Sequence, residues 1–424
     1  MNTGGPPEDP PPIARTRRLL FTLGALSTFG PLSIDLYLPA LPALARQLKA
    51  SDGAAQWSIS ACMIGLAVGQ LFIGPLSDRI GRRRPLFAGV VTYTAASLLC
   101  ATAPSIEALI VLRLVQGLAG SAGMVVVEAM VRDLYEGRQM ARIMSLLMLI
   151  GGFAPIVAPV LGGQLLYVVD WRGLFVLLAA ISALLMLAAV TLPETLRPQL
   201  RHAGGLRRVR AGFSAVAGDR LFVGCTLGSS IGSIALFIYI SVSSFVLQDG
   251  YGVSPQVFSL IFAVNSVGLI LGGWVNALLL RRFAPERLLV PEALVALVSA
   301  VGTAVAAALH APLAVFLSAL FVTIMSGGLA SPNATALALT RHPANAGTAA
   351  ALLGSTGFLF GALFAPFASL GGASAVMMTG GIAVARVGSW LAYALVARPR
   401  AGGASGAAPR TGDPDHDPDH GPRP

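Results

Sequence analysis

Long apolar runs separated by short polar breaks repeat along the whole chain. Twelve stretches, at roughly 18–40, 55–75, 85–103, 106–130, 141–167, 173–192, 220–246, 256–280, 286–309, 311–335, 345–369 and 374–397, are each long enough to cross ~30 Å of hydrocarbon as an α-helix. The pattern predicts an all-α integral membrane protein. An even number of spans puts both termini on the same face.

The basic residues fix which face that is. With the N-terminus in the cytoplasm, 24 of the 29 Lys and Arg fall in cytoplasmic segments, and only Arg46, Lys49 and Arg172 fall in outer loops. Arg113 and Arg386 lie inside spans. Arg15, Arg17 and Arg18 precede a first span too long for a signal-peptide core, so that span is read as retained.

Composition narrows the class. The chain has 424 residues, 55% hydrophobic and 11% charged. Its mean hydropathy of +0.75 is far above what a soluble domain can hide. The net charge of +10 is scattered over the loops rather than gathered with aromatics on one surface, which argues against a nucleic-acid partner. Cys62, Cys100 and Cys225 lie in or beside apolar runs without metal-ligand spacing, so no metal site is expected.

The spans divide into two sets of six. Residues 1–17 read as a disordered tail, 18–193 as an N-terminal six-helix bundle, 194–219 as a cytoplasmic linker, 220–397 as a second six-helix bundle, and 398–424 as a disordered tail. His416 and His420, in the repeated Asp-Pro-Asp-His of that tail, read as solvated rather than metal-binding. The loop after span 8, Gly272-Gly-Trp-Val-Asn276-Ala-Leu-Leu-Leu-Arg281-Arg282, repeats the place of Gly74-Pro-Leu-Ser-Asp78-Arg79-Ile-Gly81-Arg82-Arg83-Arg84 without its acid. Parallel repeats with a site between them at mid-membrane suit alternating access.

Few residues carry charge inside the membrane. Asp35, in Leu32-Ser-Ile-Asp35-Leu-Tyr37-Leu-Pro39-Ala-Leu-Pro42, is costly there unless it faces water, pairs with a cation or holds a proton, and each option suits a proton carrier. The alternative is a carboxylate solvated near the outer interface. Arg113 shares a helical face with Gln116, Gly117 and Gly120 and needs a partner, for which Asp35 is a candidate; a fixed structural role is the alternative. Glu128, Arg132 and Asp133 end span 4 near Asp78 and the Arg82–Arg84 cluster, where an ion-pair latch between loops would hold one conformation. Glu128 reads more simply as a local interface charge. In span 5, Gly151, Gly152, Pro155, Pro159, Gly162 and Gly163 predict a bent helix packed tightly at a boundary between the bundles. No hydrolase triad, phosphate-binding loop or carboxylate metal cage appears, so neither an enzyme nor an ATP-driven pump is expected.

These residues resemble the drug:proton antiporters of the major facilitator superfamily, in the bicyclomycin and chloramphenicol resistance (Bcr/CflA) branch. The Gly74–Arg84 segment looks like motif A of the superfamily, Asp35–Pro42 is specific to the branch, and Arg113 with Gln116-Gly117 looks like motif B. Ala154-Pro155-Ile-Val-Ala158-Pro159-Val-Leu-Gly162-Gly163 followed by Trp171-Arg172 looks like antiporter motif C. Ser244 and Glu128 depart from the branch pattern, Ser244 standing where a proline is frequent.

The resemblance implies a multi-pass inner-membrane exporter, expected as a monomer, that expels small amphipathic compounds in exchange for protons with no cofactor beyond the gradient. A metabolite exporter or an uptake symporter is the alternative on the same scaffold. It implies Asp35 and Arg113 as the proton-coupling pair. Gly74, Asp78, Arg79, Gly81, Arg82, Arg83, Glu128 and Arg132 would gate, and Gly152, Pro155, Pro159, Gly162 and Gly163 would form the interface between bundles. Asp35, Tyr37, Gln116, Phe237, Tyr239 and Asn265 would line the substrate cavity, the aromatics and Asn265 being equally readable as core.

Overall fold

A computed structural model describes residues 13–201, 218–340, 346–369 and 372–397. The first span is broken into α1 (Ile13–Ser27), α2 (Phe29–Asp35), a 3-10 turn (Leu38–Ala40) and α3 (Leu41–Gln47). Its prolines explain the breaks. Pro31 cannot donate to the Ser27 carbonyl, nor Pro39 to that of Asp35, so the helix stops at each point; the span bends by 41° at the first.

The remaining spans of the first half are α4 (Asp52–Ile80), α5 (Arg83–Ala101), α6 (Ile106–Leu134), α7 (Gly137–Leu165) and α8 (Trp171–Val190). Those of the second are α9 (Arg220–Phe245, continued by a π-helical turn Val246–Gly250), α10 (Pro255–Leu279), α11 (Pro285–Ala308), α12 (Leu313–Thr340), α13 (Ala346–Phe364) and α14 (Ala375–Leu391). Among the described residues 11 helices are long and apolar enough to cross a membrane, or 12 when the bent first pair is one span. The chain is a multi-pass membrane protein. Side chains of Ser51, Ser105, Asp170, Ser254 and Ser374 cap α4, α6, α8, α10 and α14, all at one end of the bundle, each cap worth ~1 kcal/mol.

α1 begins at Ile13, where the expected N-terminal tail ran to residue 17, and the expected linker opens with a 3-10 turn at Pro198–Leu200. Residues 1–12, linker residues 202–217 and the C-terminal tail with His416 and His420 lie outside the described residues.

The internal repeat is visible in the packing. A Cβ on Gly117 of α6 would meet the Cys62 carbonyl of α4, and one on Gly65 the Leu114 carbonyl, so these backbones touch. In the second half Gly272 of α10 stands in the same relation to Met325 of α12, and Gly328 to Leu269. The halves meet along α4 with α13 and α7 with α10.

The two ends of the molecule differ. Toward the end that carries Arg46, one apolar core is shared by both halves, uniting Leu36, Tyr37 and Leu38 with Tyr239, Phe245 and Phe262. Toward the end that carries Arg82 the core separates into one cluster for each half.

Candidate functional site

Asp35 is the last residue of α2, where the broken first span passes between the halves. It is only 4% exposed, and among the described residues its carboxylate has neither an ion pair nor a hydrogen bond. Tyr239 of α9 lies within electrostatic reach, and the Tyr239 hydroxyl accepts from Asn265 Nδ2 at 3.0 Å while its ring stacks on Phe262. The carboxylate therefore looks across at the second half.

Arg113 is not its partner. The guanidinium is fully buried and donates Nη2 to the Ser33 carbonyl at 2.7 Å, Nη1 to Gln116 Oε1, and Nε to the Ser58 carbonyl at 3.4 Å. It lies over the Tyr37 ring at 4.5 Å and near Phe175 at 5.6 Å, in cation–π reach of both. Gln116 is in turn held on Ser97 Oγ at 2.7 Å, and the Tyr37 hydroxyl on Ser58 Oγ at 3.0 Å. The expected Asp35–Arg113 pair is thus absent because the carbonyl of Ser33, freed at the end of α2, takes the guanidinium instead. Tyr37 and Gln116, expected at the cavity, are fully buried around Arg113 and present no surface to a ligand. Phe237 remains half-buried, against Phe358.

At the Arg46 end the halves are clasped. Ser244 Oγ donates to the Leu38 carbonyl at 2.7 Å, and Gln248 Nε2 to the Pro39 carbonyl at 3.0 Å and to Ser244 Oγ at 2.8 Å. Arg46 pairs with Asp249 at 2.9 Å, and Ser369 Oγ donates to Gln56 Oε1 at 2.8 Å. Midway, Ser266 Oγ donates to the Pro155 carbonyl at 3.3 Å, and nearer the clasp Gln256 Nε2 to the Gly163 carbonyl at 3.1 Å. No hydrogen bond between described residues joins the halves at the Arg82 end.

Of the expected boundary set, Pro155, Gly162 and Gly163 meet neighbours: a Cβ on Gly162 would strike the Leu36 carbonyl and one on Gly163 the Ser259 hydroxyl. Nothing lies within 4 Å of a Cβ at Gly152. The helix α7 continues through Pro155 and Pro159, whose missing N–H groups leave the Gly151 and Pro155 carbonyls without their helical donors, the second being taken up by Ser266.

Arg82 is the hub of the opposite end. Its guanidinium grips Asp133 at 2.9 and 3.3 Å, Ser77 Oγ at 2.7 Å and the Asp78 carboxylate, while its backbone N–H donates to Glu194 Oε1 at 2.8 Å. Burial works against the charge of Arg82, but the hydrogen bonds to Asp133 and Asp78 outweigh it and hold the guanidinium above its ordinary value. Gly81 sits at φ +98°, and a Cβ there would strike the Glu194 carboxylate. Arg83 donates Nη2 to the Val190 carbonyl at 2.9 Å and its N–H to Glu194 Oε2 at 3.3 Å. Arg79 and Arg132 make no ion pair among the described residues, and Glu128 is exposed outside the hub. Of the latch expected between Glu128, Arg132, Asp133 and the loop of Asp78 and Arg82–Arg84, the Asp133, Asp78 and Arg82 contacts are present, Glu194 joins them, and all lie within the first half.

The sequence reading missed one buried cluster. Asn276 occupies the place of Asp78 in the repeat, and Asn333 Nδ2 donates both to Asn276 Oδ1 at 2.8 Å and to Glu292 Oε2 at 2.6 Å. The acid that the second repeat lacks is supplied by Glu292 from α11, 4% exposed. A Glu inside the apolar run Leu288–Val298 was the available signal.

A model of the Major Facilitator Superfamily matches residues 23–366. The chain belongs to the major facilitator superfamily. Within it, the chain is 35% identical to an uncharacterised MFS-type transporter, YdgK, of Bacillus subtilis, covering 91% of this chain and 96% of that one. It is 30% identical to a bicyclomycin resistance protein homologue of Haemophilus influenzae (81% and 87%) and 29% identical to multidrug resistance protein D of Escherichia coli (80% and 85%). The second of these relatives is named for bicyclomycin resistance, as is the branch whose motifs the chain resembles. The fold is similar to that of a bacterial homologue of the lysosomal transporter Spinster solved inward-facing and unoccupied, with a TM-score of 0.73 at 16% identity over 92% of this chain and 99% of that one. This facilitator-superfamily chain is a transporter of small molecules rather than an enzyme.

Proposed function

We propose that the protein exports small amphipathic compounds across the inner membrane in exchange for protons, with both termini in the cytoplasm. The observation that carries the reading is Asp35: an intramembrane carboxylate without a partner, at the break of the first span and directly under the clasp between the halves. Such a group is satisfied either by a proton or by a cationic or polar ligand, and the two exclude each other. Names of the relatives, bicyclomycin resistance and multidrug resistance, support the substrate class. The basic loops support the orientation, in which the Arg82 end is cytoplasmic and the molecule is sealed outside and unlatched inside.

In this scheme Arg113 positions rather than couples. It fixes the end of α2 through the Ser33 carbonyl, and so the depth of Asp35. Opening outward requires the Ser244, Gln248 and Asp249 contacts to part.

Proton release from the purified protein in detergent, on addition of a panel of amphipathic drugs, tests the reading. Release in wild type that vanishes in Asp35→Asn is expected. Drug binding without release in wild type would rule out coupling at Asp35.

A further inference from the structure

Arg386 of α14 is the second intramembrane arginine, and its surroundings are opposite to those of Arg113. Among the described residues it has no ion pair and donates no hydrogen bond, and its Nε is buried without a partner. The guanidinium faces a cavity of about 320 Å³ inside the second half, bounded by α9, α10, α11, α12 and α14. Small residues make the room: a Cβ on Gly327 would lie 2.6 Å from Nη2, and one on Gly232 3.6 Å from Nη1.

The wall has one sign. No acidic side chain lines the cavity; Glu292, in the same half, is turned to Asn333. Further hydroxyls are present. Ser229 Oγ and Tyr393 Oη share one hydrogen bond at 3.1 Å, and Ser331 Oγ donates to nothing described. The rest of the lining is apolar, with Leu236, Leu269 and Ile324. An unpaired cation in such a site is costly, and a guanidinium with added hydroxyl donors fits an oxyanion, most favourably by a two-pronged contact.

We infer that this cavity is a binding site for an oxyanion carried on an apolar body, an amphipathic carboxylate held on Arg386 with its hydrocarbon against Leu236, Leu269 and Ile324. The same chemistry is offered by a lipid phosphate entering from the bilayer. The site is separate from Asp35 and does not depend on proton coupling there.

The test is equilibrium binding of 2-naphthoate, with 2-naphthamide as its neutral counterpart, to the full chain in neutral detergent. Naphthoate should bind wild type saturably and Arg386→Gln at least ~10-fold more weakly, as expected for loss of a charged hydrogen-bond donor. Arg386→Lys should retain part of the affinity, Asp35→Asn all of it, and naphthamide should bind weakly throughout. Gly327→Leu, which keeps the charge but fills the room, should abolish binding and guards against an Arg386 variant that fails to fold. Mass spectrometry of the intact protein separates the sources: phosphatidylglycerol retained by wild type, lost in Arg386→Gln and displaced by naphthoate identifies lipid as the resident form of the same oxyanion. Equal naphthoate affinity in wild type and Arg386→Gln, or no saturable binding to lipid-stripped wild type, would overturn the inference.

Discussion

Arg113 donates to the carbonyl of Ser33, two residues ahead of Asp35, and so holds the strand of chain that carries the carboxylate while leaving the carboxylate itself unpaired. Two residues of opposite charge thus do not neutralise each other, as the proposed exchange of ligands at Asp35 requires. A fully paired Asp35 would have no reason to exchange ligands.

The arrangement separates two kinds of defect. Truncating a buried, hydrogen-bonded charge costs about 3–5 kcal/mol, so Arg113→Ala should lower the unfolding temperature of the solubilised protein markedly, and Arg113→Lys by less. Asp35→Asn should leave it unchanged while abolishing gradient-driven export. Thermal unfolding of the three variants decides this; an Arg113→Ala protein as stable as wild type would remove the positioning role.

The Arg46–Asp249 pair is exposed at both partners, so it contributes at most ~1 kcal/mol to closure at its end of the molecule, about a fivefold shift in population. Arg46→Ala should raise the labelling rate of an Ala40→Cys reporter by an impermeant maleimide, by no more than that factor, and the swap of Arg46→Glu with Asp249→Arg should keep it near the wild-type rate. The three native cysteines are buried, which keeps the background low. A far larger effect would mean that the pair, rather than the Ser244 and Gln248 contacts, holds the seal.

Glycines of the Arg82 hub should differ. Gly74→Ala adds a Cβ 3.5 Å from Val125, an ordinary contact, and should be tolerated, whereas Gly81→Ala is strained at φ +98° and strikes Glu194. A loss of ~1–3 kcal/mol is expected for Gly81→Ala, with faster trypsin cleavage after Arg83. Equal cleavage in both variants would show that Glu194 does not hold the loop.

A similar contrast applies to α7. Gly162→Ala drives a methyl into the Leu36 carbonyl, beside Asp35, and should reduce both stability and export; Gly152→Ala meets nothing and should be silent. Efflux rate in cells at matched expression distinguishes them.

The spans, their pairing into halves and the family were legible because the apolar runs and the loop motifs are local signals. Charge partners were not. Arg113, Gln116 and Tyr37 share a polar stripe in the sequence, but whether that stripe faces a cavity or a neighbouring helix depends on the carbonyls released where Pro39 ends α2, which no helical periodicity records. Glu194 was assigned to a linker on composition, although its carboxylate closes the hub through the Arg82 and Arg83 backbone. Glu292 was hidden by comparing the repeats position by position: the acid moved to the next helix while the Asn276 site stayed put.

Within the clasp at the Arg46 end, the Ser244 and Gln248 side chains of one half meet bare backbone of the other. Leu38 and Pro39 contribute only their carbonyl oxygens, which any residue at those positions would still offer so long as Pro39 and Pro42 keep the segment out of a regular helix. Mutational drift at Leu38 therefore leaves the lock's keyhole in place, and the strength of these two contacts is set from the side of Ser244 and Gln248. A lineage can retune how readily those contacts part by editing one helix, without touching the broken first span.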